Sequence, residues 1–367
     1  MMRVCFFGGY NPKYIRNVIV KEGLIKNGVE VVECHAKPKF KFWLRYPILF
    51  FKHLKFLFIK YDFIFVPAFR HKDVPLAKLI GLLVNKPVVF DPFISRYETK
   101  VVDQKKVAPY SVQARHNFRI DKLSFKLADI VLVDTFTHAD YYAREFGINR
   151  VKFSRIPVGV PDEPFSLFTT RGEEKRREGG NFLVQFYGSF LPLQGIEYIV
   201  QAARIVEGYD KTIYFELIGS GQTFPMIKKL VEELRLKNTI LRNWLPFNEL
   251  PEVVSGADIC LGIFGNTEKT LRVIPNKLFQ CLSLKKPVIT GRTPAILEYF
   301  VDRENILLCE PANADSLAKA IMALKDNEQL RKKIAENGYR LIQENFTSQV
   351  IGKQLKEILT KDLVQKA

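Results

Sequence analysis

Short apolar runs separated by stretches of helical spacing recur along the whole chain, and this alternation restricts the fold more than any single motif. In the first half the runs fall at 3–7, 29–34, 63–67, 87–91 and 130–134. In the second they fall at 182–187, 213–218, 239–242, 258–263, 287–290 and 306–309. Runs of this length, bounded by glycine and polar residues, read as strands; strands joined through helices lie parallel and are covered on both faces. The expected class is α/β. Helices are expected over 12–26, 195–206, 223–235, 246–255, 314–323, 328–345 and 348–364. A chain of 367 residues exceeds what one core carries. The charged, glycine-terminated stretch RGEEKRREGG at 171–180 marks the expected junction. The expected units are 1–165, a linker over 166–180, 181–345, and a last helix over 346–367.

Charge narrows the partners. The chain has 56 Lys and Arg against 39 Asp and Glu, a net +17, which favours nucleic acid, anionic lipid or phosphorylated small molecules. Much of the excess sits in 37–60, KPKFKFWLRYPILFFKHLKFLFIK, with seven Lys or Arg, no acid and many aromatic residues. Two readings stay open: a helix packed on the sheet with snorkelling lysines, or a peripheral contact with an anionic membrane. Nucleic acid is disfavoured, because no recognisable binding module accompanies the segment. No run reaches the roughly 18 apolar residues that crossing a bilayer takes, and Gly8 and Gly9 break the N-terminal run too early for a signal peptide. The five cysteines are scattered without a C-x-x-C spacing and read as reduced core residues. A cytoplasmic protein, peripheral on the inner membrane face in the second reading, is the expectation.

The polar residues that chemistry needs cluster where strands end. Gly8 and Gly9 follow the first strand, but not as G-x-G-x-x-G, so a dinucleotide is not indicated. Asp91 closes its strand at the edge where open α/β sheets place ligands. It is suited either to orient or deprotonate a hydroxyl or to cap the turn before Pro92. The aperiodic segment 92–110, with Arg96, Glu98, Lys100 and Asp103, reads as a loop at the site's mouth, and His116 beside Arg115 and Arg119 is a further candidate lining residue. In the second half Gly188, Gly219, Gly221 and Gly265 follow strands, where backbone N–H groups are able to face a diphosphate. Beyond them, 271–290 reads as an irregular approach, Pro275 and Asn276 at a helix start, and a helix edge exposing Lys277 and Gln280, a berth for a phosphorylated ligand.

Three segments, YGSFLPLQGIEYIVQAARIV, then ELIGSGQTFPMIKKLVEELRLKNTILRNWLPFNELPEVVSGADICLGIF, then VIPNKLFQCLSLKKPVITGRTPAILEYF, resemble retaining nucleotide-sugar glycosyltransferases of family GT4. The resemblance covers 182 to about 298 and, more loosely, the N-terminal half. It implies a GT-B fold: two Rossmann-like domains facing across a cleft, the last helix crossing back to the first domain. It further implies that Gly188, Ser189, Gln194 and Gly195 lie against the donor diphosphate, and Gly219 and Gly221 near the base. Pro275, Asn276, Lys277 and Gln280 would hold ribose and phosphates, and Gly8, Gly9 and Asp91, with Asp103 and His116, would face the acceptor.

This sequence departs from that pattern at charged positions. The family often has Arg and Lys where Ser189 and Gln194 stand, and two glutamates where Arg272 and Gln280 stand. Arg272 and Lys277, with Lys269, are the cations left to restore the charge. Catalytic roles are therefore expected for Asp91, Arg272 and Lys277, the latter two stabilising the departing diphosphate. No D-x-D occurs, so neither metal nor cofactor is expected beyond the nucleotide-sugar donor. The expected acceptor is a carbohydrate or a lipid-linked carrier. A non-catalytic nucleotide-sugar scaffold, a nucleotide-sugar hydrolase and a basic nucleic-acid-binding protein remain as alternatives.

Overall fold

Two six-stranded sheets, parallel throughout, carry the chain in the computed structural model, which describes residues 1–55, 60–162 and 181–366. The chain divides into two units, Met1–Gly159 with Thr347–Ala367, and Val160–Phe346. The linker expected at 166–180 lies outside the described residues.

In the first unit the strands are β1 (Arg3–Gly8), β2 (Glu30–His35), β3 (Phe63–Val66), β4 (Val88–Phe90), β5 (Ile130–Val133) and β6 (Phe153–Arg155). Their order is β2-β1-β3-β4-β5-β6. Helices α1 (Ile15–Lys26), α2 (Phe42–Leu54), α3 (Val74–Leu83), α4 (Val112–Leu127) and α5 (Phe136–Phe146) connect them. The central strands β1, β3, β4 and β5 are apolar at nearly every position because both faces are covered, and β3, β4 and β5 are wholly buried; the edge strands β2 (EVVECH) and β6 are more polar. Strand β6 is only three residues long, FSR, too short and too polar to stand out in the sequence. The segment expected as a loop at 92–110 holds a π-helical turn over Glu98–Asp103. The last helix, α12 (Ser348–Lys366), packs on α1. A Cβ on Gly23 would lie 2.2 Å from the Ser348 carbonyl oxygen, and one on Gly352 would lie 2.0 Å from Gly23 backbone, so only glycine lets these helices meet.

In the second unit the strands are β7 (Phe182–Tyr187), β8 (Ile213–Ile218), β9 (Thr239–Arg242), β10 (Ile259–Leu261), β11 (Val288–Gly291) and β12 (Leu307–Cys309), in the order β12-β11-β10-β7-β8-β9. Its α-helices among the described residues are α6 (Ile196–Tyr209), α7 (Phe224–Glu233), α8 (Leu250–Ser255), α9 (Asn276–Ser283), α10 (Ala314–Asp326) and α11 (Glu328–Asn345).

Both orders are doubly wound. Winding runs outward from one strand in one direction and then restarts on its other side, leaving a switch point where adjacent connections diverge to opposite faces. Ligands of open α/β sheets bind beyond the strand C-termini at that point. In the first unit it lies between β1 and β3, in the second between β7 and β10.

Candidate functional site

The second unit's switch point is built from two loops zipped together. The loop after β7 runs Gly188 to Gly195, and the Gln194 and Leu193 carbonyls accept from Phe264 N (2.9 Å) and Gly265 N (3.2 Å) of the loop after β10. Gly195, at φ +62°, has no room for a side chain: a Cβ would stand 2.4 Å from Gly265 N. The turn after β8 packs on the same loop, and a Cβ on Gly219 would lie 1.9 Å from the Gly188 carbonyl oxygen.

These glycines therefore do something other than expected. The N–H groups of Gly188, Gly219, Gly195 and Gly265 donate to the carbonyls of Ile218, Arg242, Pro192 and Leu193. These N–H groups are engaged in holding the loops together and are not the free donors expected. A Cβ on Gly221 would lie 2.6 Å from the Phe190 carbonyl oxygen, so this glycine too allows close backbone approach.

The helix α9 carries the polar groups of this site, and here the exposed edge expected for Lys277 and Gln280 is corrected. Both side chains are buried, as is every residue of Lys277–Ser283. Pro275, extended at ψ 144°, is the residue before the helix, and Asn276 is its first helical residue instead of a side-chain cap. Lys277 Nζ donates to Gln194 Oε1 at 2.7 Å and lies 3.5 Å from the Phe186 ring centroid. Burial pushes its pKa well below the usual lysine value, slightly offset by Cys281. A Cβ on Gly188 would come within 3.3 Å of Nζ, so the glycine keeps the roof over this ammonium thin. A lysine at position 194 would set two ammonium groups together; the neutral amide of Gln194 accepts from Lys277 instead. Gln280 Oε1 accepts from Tyr187 Oη at 2.8 Å, leaving its amide nitrogen as the group to offer a ligand.

Arg272 and Lys269 are also buried, 6% and 5% exposed, in the loop leading to α9. Arg272 Nη1 approaches Glu268 Oε2 at 3.4 Å, a carboxylate that is itself largely exposed. Ser189 is half-buried in the first loop. The structure thus brings Ser189, Gln194, Lys277 and Gln280 to β7 and α9. Sequence reasoning missed Phe186 and Tyr187, the ring beneath Lys277 and the hydroxyl on Gln280; their place at the end of the strand before the glycine loop was the available signal.

In the first unit the reading of Asp91 as a hydroxyl base is corrected. Asp91 Oδ2 accepts from Arg16 Nε at 2.7 Å, both side chains being nearly inaccessible, and Oδ1 accepts from Phe93 N at 3.2 Å. Arg16 in turn donates to the carbonyls of Pro157, of Val158 (3.4 Å) and of Ile156 (3.2 Å). Asp91 thus neutralises a buried guanidinium that ties down the chain after β6, and shapes the turn at Pro92. Gly8 and Gly9 lie on Asp73: Gly9 N donates to Asp73 Oδ2 at 2.9 Å, and a Cβ on Gly8 would be 2.8 Å from the same oxygen. Asp103 is buried at the end of the π-helical turn, and His116 is exposed on α4. Buried in this unit are His53, His71 and His138; His138 Nδ1 lies 2.5 Å from Asp134 Oδ1 and its Nε2 3.5 Å from Glu98 Oε2. Among the described residues no cluster of three His, Cys, Asp or Glu suits a metal, and no helix is long and apolar enough to cross a membrane.

Residues 169–341 match the family model "Glycosyl transferases group 1". An uncharacterised glycosyltransferase of Methanocaldococcus jannaschii is 28% identical over 153 residues, 42% of this chain and 41% of that protein. The Staphylococcus aureus capsular polysaccharide biosynthesis glycosyltransferase CapM is 23% identical over 209 residues, 54% of this chain and 52% of its own length. The aligned part thus spans about half of each of these relatives. Among solved structures, Anabaena HepE in complex with UDP and glucose is similar in fold, with TM-score 0.70 at 14% identity over 98% of this chain and all of that one. Two Rossmann-like α/β units of the GT-B class are the fold.

Proposed function

We propose that this chain, whose residues 169–341 match the family model of glycosyl transferases group 1, moves a sugar from a nucleoside-diphosphate sugar to an acceptor hydroxyl. The observation that carries the reading is Lys277, an ammonium buried under the Gly188 turn at the second unit's switch point and held by Gln194. A buried cation whose acceptors are neutral, the Gln194 amide oxygen and at 3.4 Å the Gly262 carbonyl, beside an aromatic face, has its charge incompletely answered, and an anionic ligand there would answer it. As the sugar–phosphate bond breaks, charge grows on the departing diphosphate. Lys277, Arg272 and the first-turn N–H groups of α9 are the groups suited to stabilise it. Gln280 offers its amide to a ribose hydroxyl, and Ser189 its hydroxyl to a phosphate oxygen.

Finer features of the proposal are transfer with retention, no requirement for a metal, and a place in polysaccharide or glycolipid assembly. CapM, named for capsular polysaccharide biosynthesis, and HepE, solved with UDP and glucose, are in keeping with it. Peripheral membrane contact through 37–60 is part of the proposal, residues 56–59 lying outside the described ones. Helix α2 buries only a narrow stripe, Arg45, Leu49 and His53, and leaves Phe42, Trp43, Leu44 and Phe51 exposed. Aromatic side chains beside lysines suit an anionic interface.

The test is a thermal-shift panel of nucleoside diphosphates and their sugars, followed by transfer assays with the one that stabilises most. If none raises Tm, the donor site is misassigned. A non-catalytic scaffold is the second reading, favoured by Arg272 and Gln280 standing where the family often has glutamates; it requires stabilisation by the nucleotide sugar with no transfer.

A further inference from the structure

The first unit has its own cavity at its own switch point, and its chemistry is of one sign. Beyond the ends of β1, β3 and β4, a cavity of about 410 Å³ is lined by Lys41, Arg45, Arg70, Lys72 and Arg96 together with Phe69 and the aromatic start of α2; no acid lines it. Two buried carboxylates stand behind the wall: Arg45 Nε donates to Asp73 Oδ1 at 2.9 Å, Asp73 also accepting from Gly9 N, and Asp121 interacts with Arg96. Arg70 Nη1 donates to the Gly9 carbonyl at 2.6 Å, aligning this guanidinium with the glycine turn after β1.

Nε of Arg70 and Nε of Arg96 are buried without a hydrogen-bond partner among the described residues. Burial, and after it Arg96 and Arg45, lowers the pKa of Lys72, the mark of cations crowded together. Two aromatic residues at this edge, Phe69 (φ +65°) and Phe93 (φ +62°), are held in the left-handed region, which bulky residues rarely adopt. Backbone outliers of that kind concentrate at ligand sites. Guanidinium groups converging in a cavity at a switch point match the planar, multidentate oxygens of phosphate.

We propose that this cavity binds a phosphate group carried by the acceptor, so that the acceptor is a phosphorylated or phosphate-linked molecule. The proposal rests on the sugar-transfer reading for the word acceptor, and on the first unit alone for the phosphate. Arg70 and Arg96 grip the phosphate oxygens, Lys72 and Lys41 supply further charge, and the aromatic start of α2, with Trp43 55% exposed, lies beside whatever the phosphate is attached to.

The probe is inorganic pyrophosphate, titrated by calorimetry at low salt into the full chain saturated with UDP, so that the donor site is occupied. Pyrophosphate is expected to bind, and Arg96→Gln and Arg70→Gln are each expected to weaken it about tenfold or more, with UDP affinity unchanged. Arg96→Gln is the cleaner variant, because Arg70 also holds Gly9. No binding under saturating UDP, or equal binding in both variants, overturns the proposal. A chain that fails to bind UDP yet binds pyrophosphate in an Arg96-dependent way would sink the donor reading and leave this site standing. Phosphatidylcholine vesicles with and without phosphatidylglycerol separate the sources. Arg96-dependent flotation only with phosphatidylglycerol assigns a lipid headgroup, and pyrophosphate binding without flotation assigns a soluble phosphate.

Discussion

Lys277 offers the sharpest test, because its roles in stability and in transfer have opposite signs. Methionine has nearly the same reach and volume as the lysine stem and makes favourable contacts with an aromatic ring, so Lys277→Met keeps the packing on Phe186 and removes only the charge. In the unliganded protein that charge is desolvated: Nζ has the Gln194 amide oxygen at 2.7 Å and the Phe186 face at 3.5 Å, and burial lowers its pKa. A lysine whose folded pKa lies below its unfolded value of 10.5 weakens folding where it must stay protonated, and the penalty fades as pH rises to 10.5. Lys277→Met should therefore have an equal or higher Tm at neutral pH, with the difference shrinking toward alkaline pH. In transfer, losing one stabiliser of the departing diphosphate is expected to reduce kcat/KM by about 100- to 1,000-fold, roughly 2.7–4 kcal/mol. Differential scanning fluorimetry across pH and steady-state kinetics with the best nucleotide sugar read the two effects. A methionine variant with kcat/KM within threefold of the parent refutes the assignment. A variant that loses activity together with several degrees of Tm shows that Lys277 acts through packing.

The remaining expectations concern stability and metal. Asp91→Asn leaves Arg16 buried without its counter-ion and should destabilise the chain by about 3–5 kcal/mol in denaturant unfolding, with kcat of the folded fraction retained; a stable variant with abolished kcat would restore Asp91 as a base. Burial lowers the His138 pKa, but Asp134 and Glu98 together outweigh it and raise it to about 9. That stabilisation is full below the unfolded value of 6.5 and is lost as pH rises through about 9. Unfolding free energy should fall by about 3 kcal/mol across this window, and His138→Gln should flatten the slope; equal slopes would remove the pair from the account. Transfer should survive EDTA, and activity abolished by EDTA and restored by manganese would reverse that expectation.

Local pattern carried the architecture. Apolar runs of four to six residues alternating with helical spacing were readable because a strand covered on both faces must be apolar at consecutive positions, whatever surrounds it. The helix starting at Asn276 was readable for the same local reason. Pairing was not. Lys277 meets Gln194 across 83 residues, and Arg16 meets Asp91 across 75, and nothing in either neighbourhood announces the partner. The reading of Lys277 and Gln280 as an exposed edge followed the rule that polar faces of short helices meet water. It failed because the β7 loop and neighbouring elements enclose α9, turning a surface cation into a desolvated one. The glycine turns were legible as turns, but their use was decided by neighbours: their N–H groups are spent on adjoining loops, and the missing Cβ atoms let backbones touch. The basic run at 37–60 likewise showed its charge in sequence. Only the fold sets Arg45 from that run beside Arg70 and Arg96 from two other loops, because a switch point gathers strand ends that are far apart along the chain.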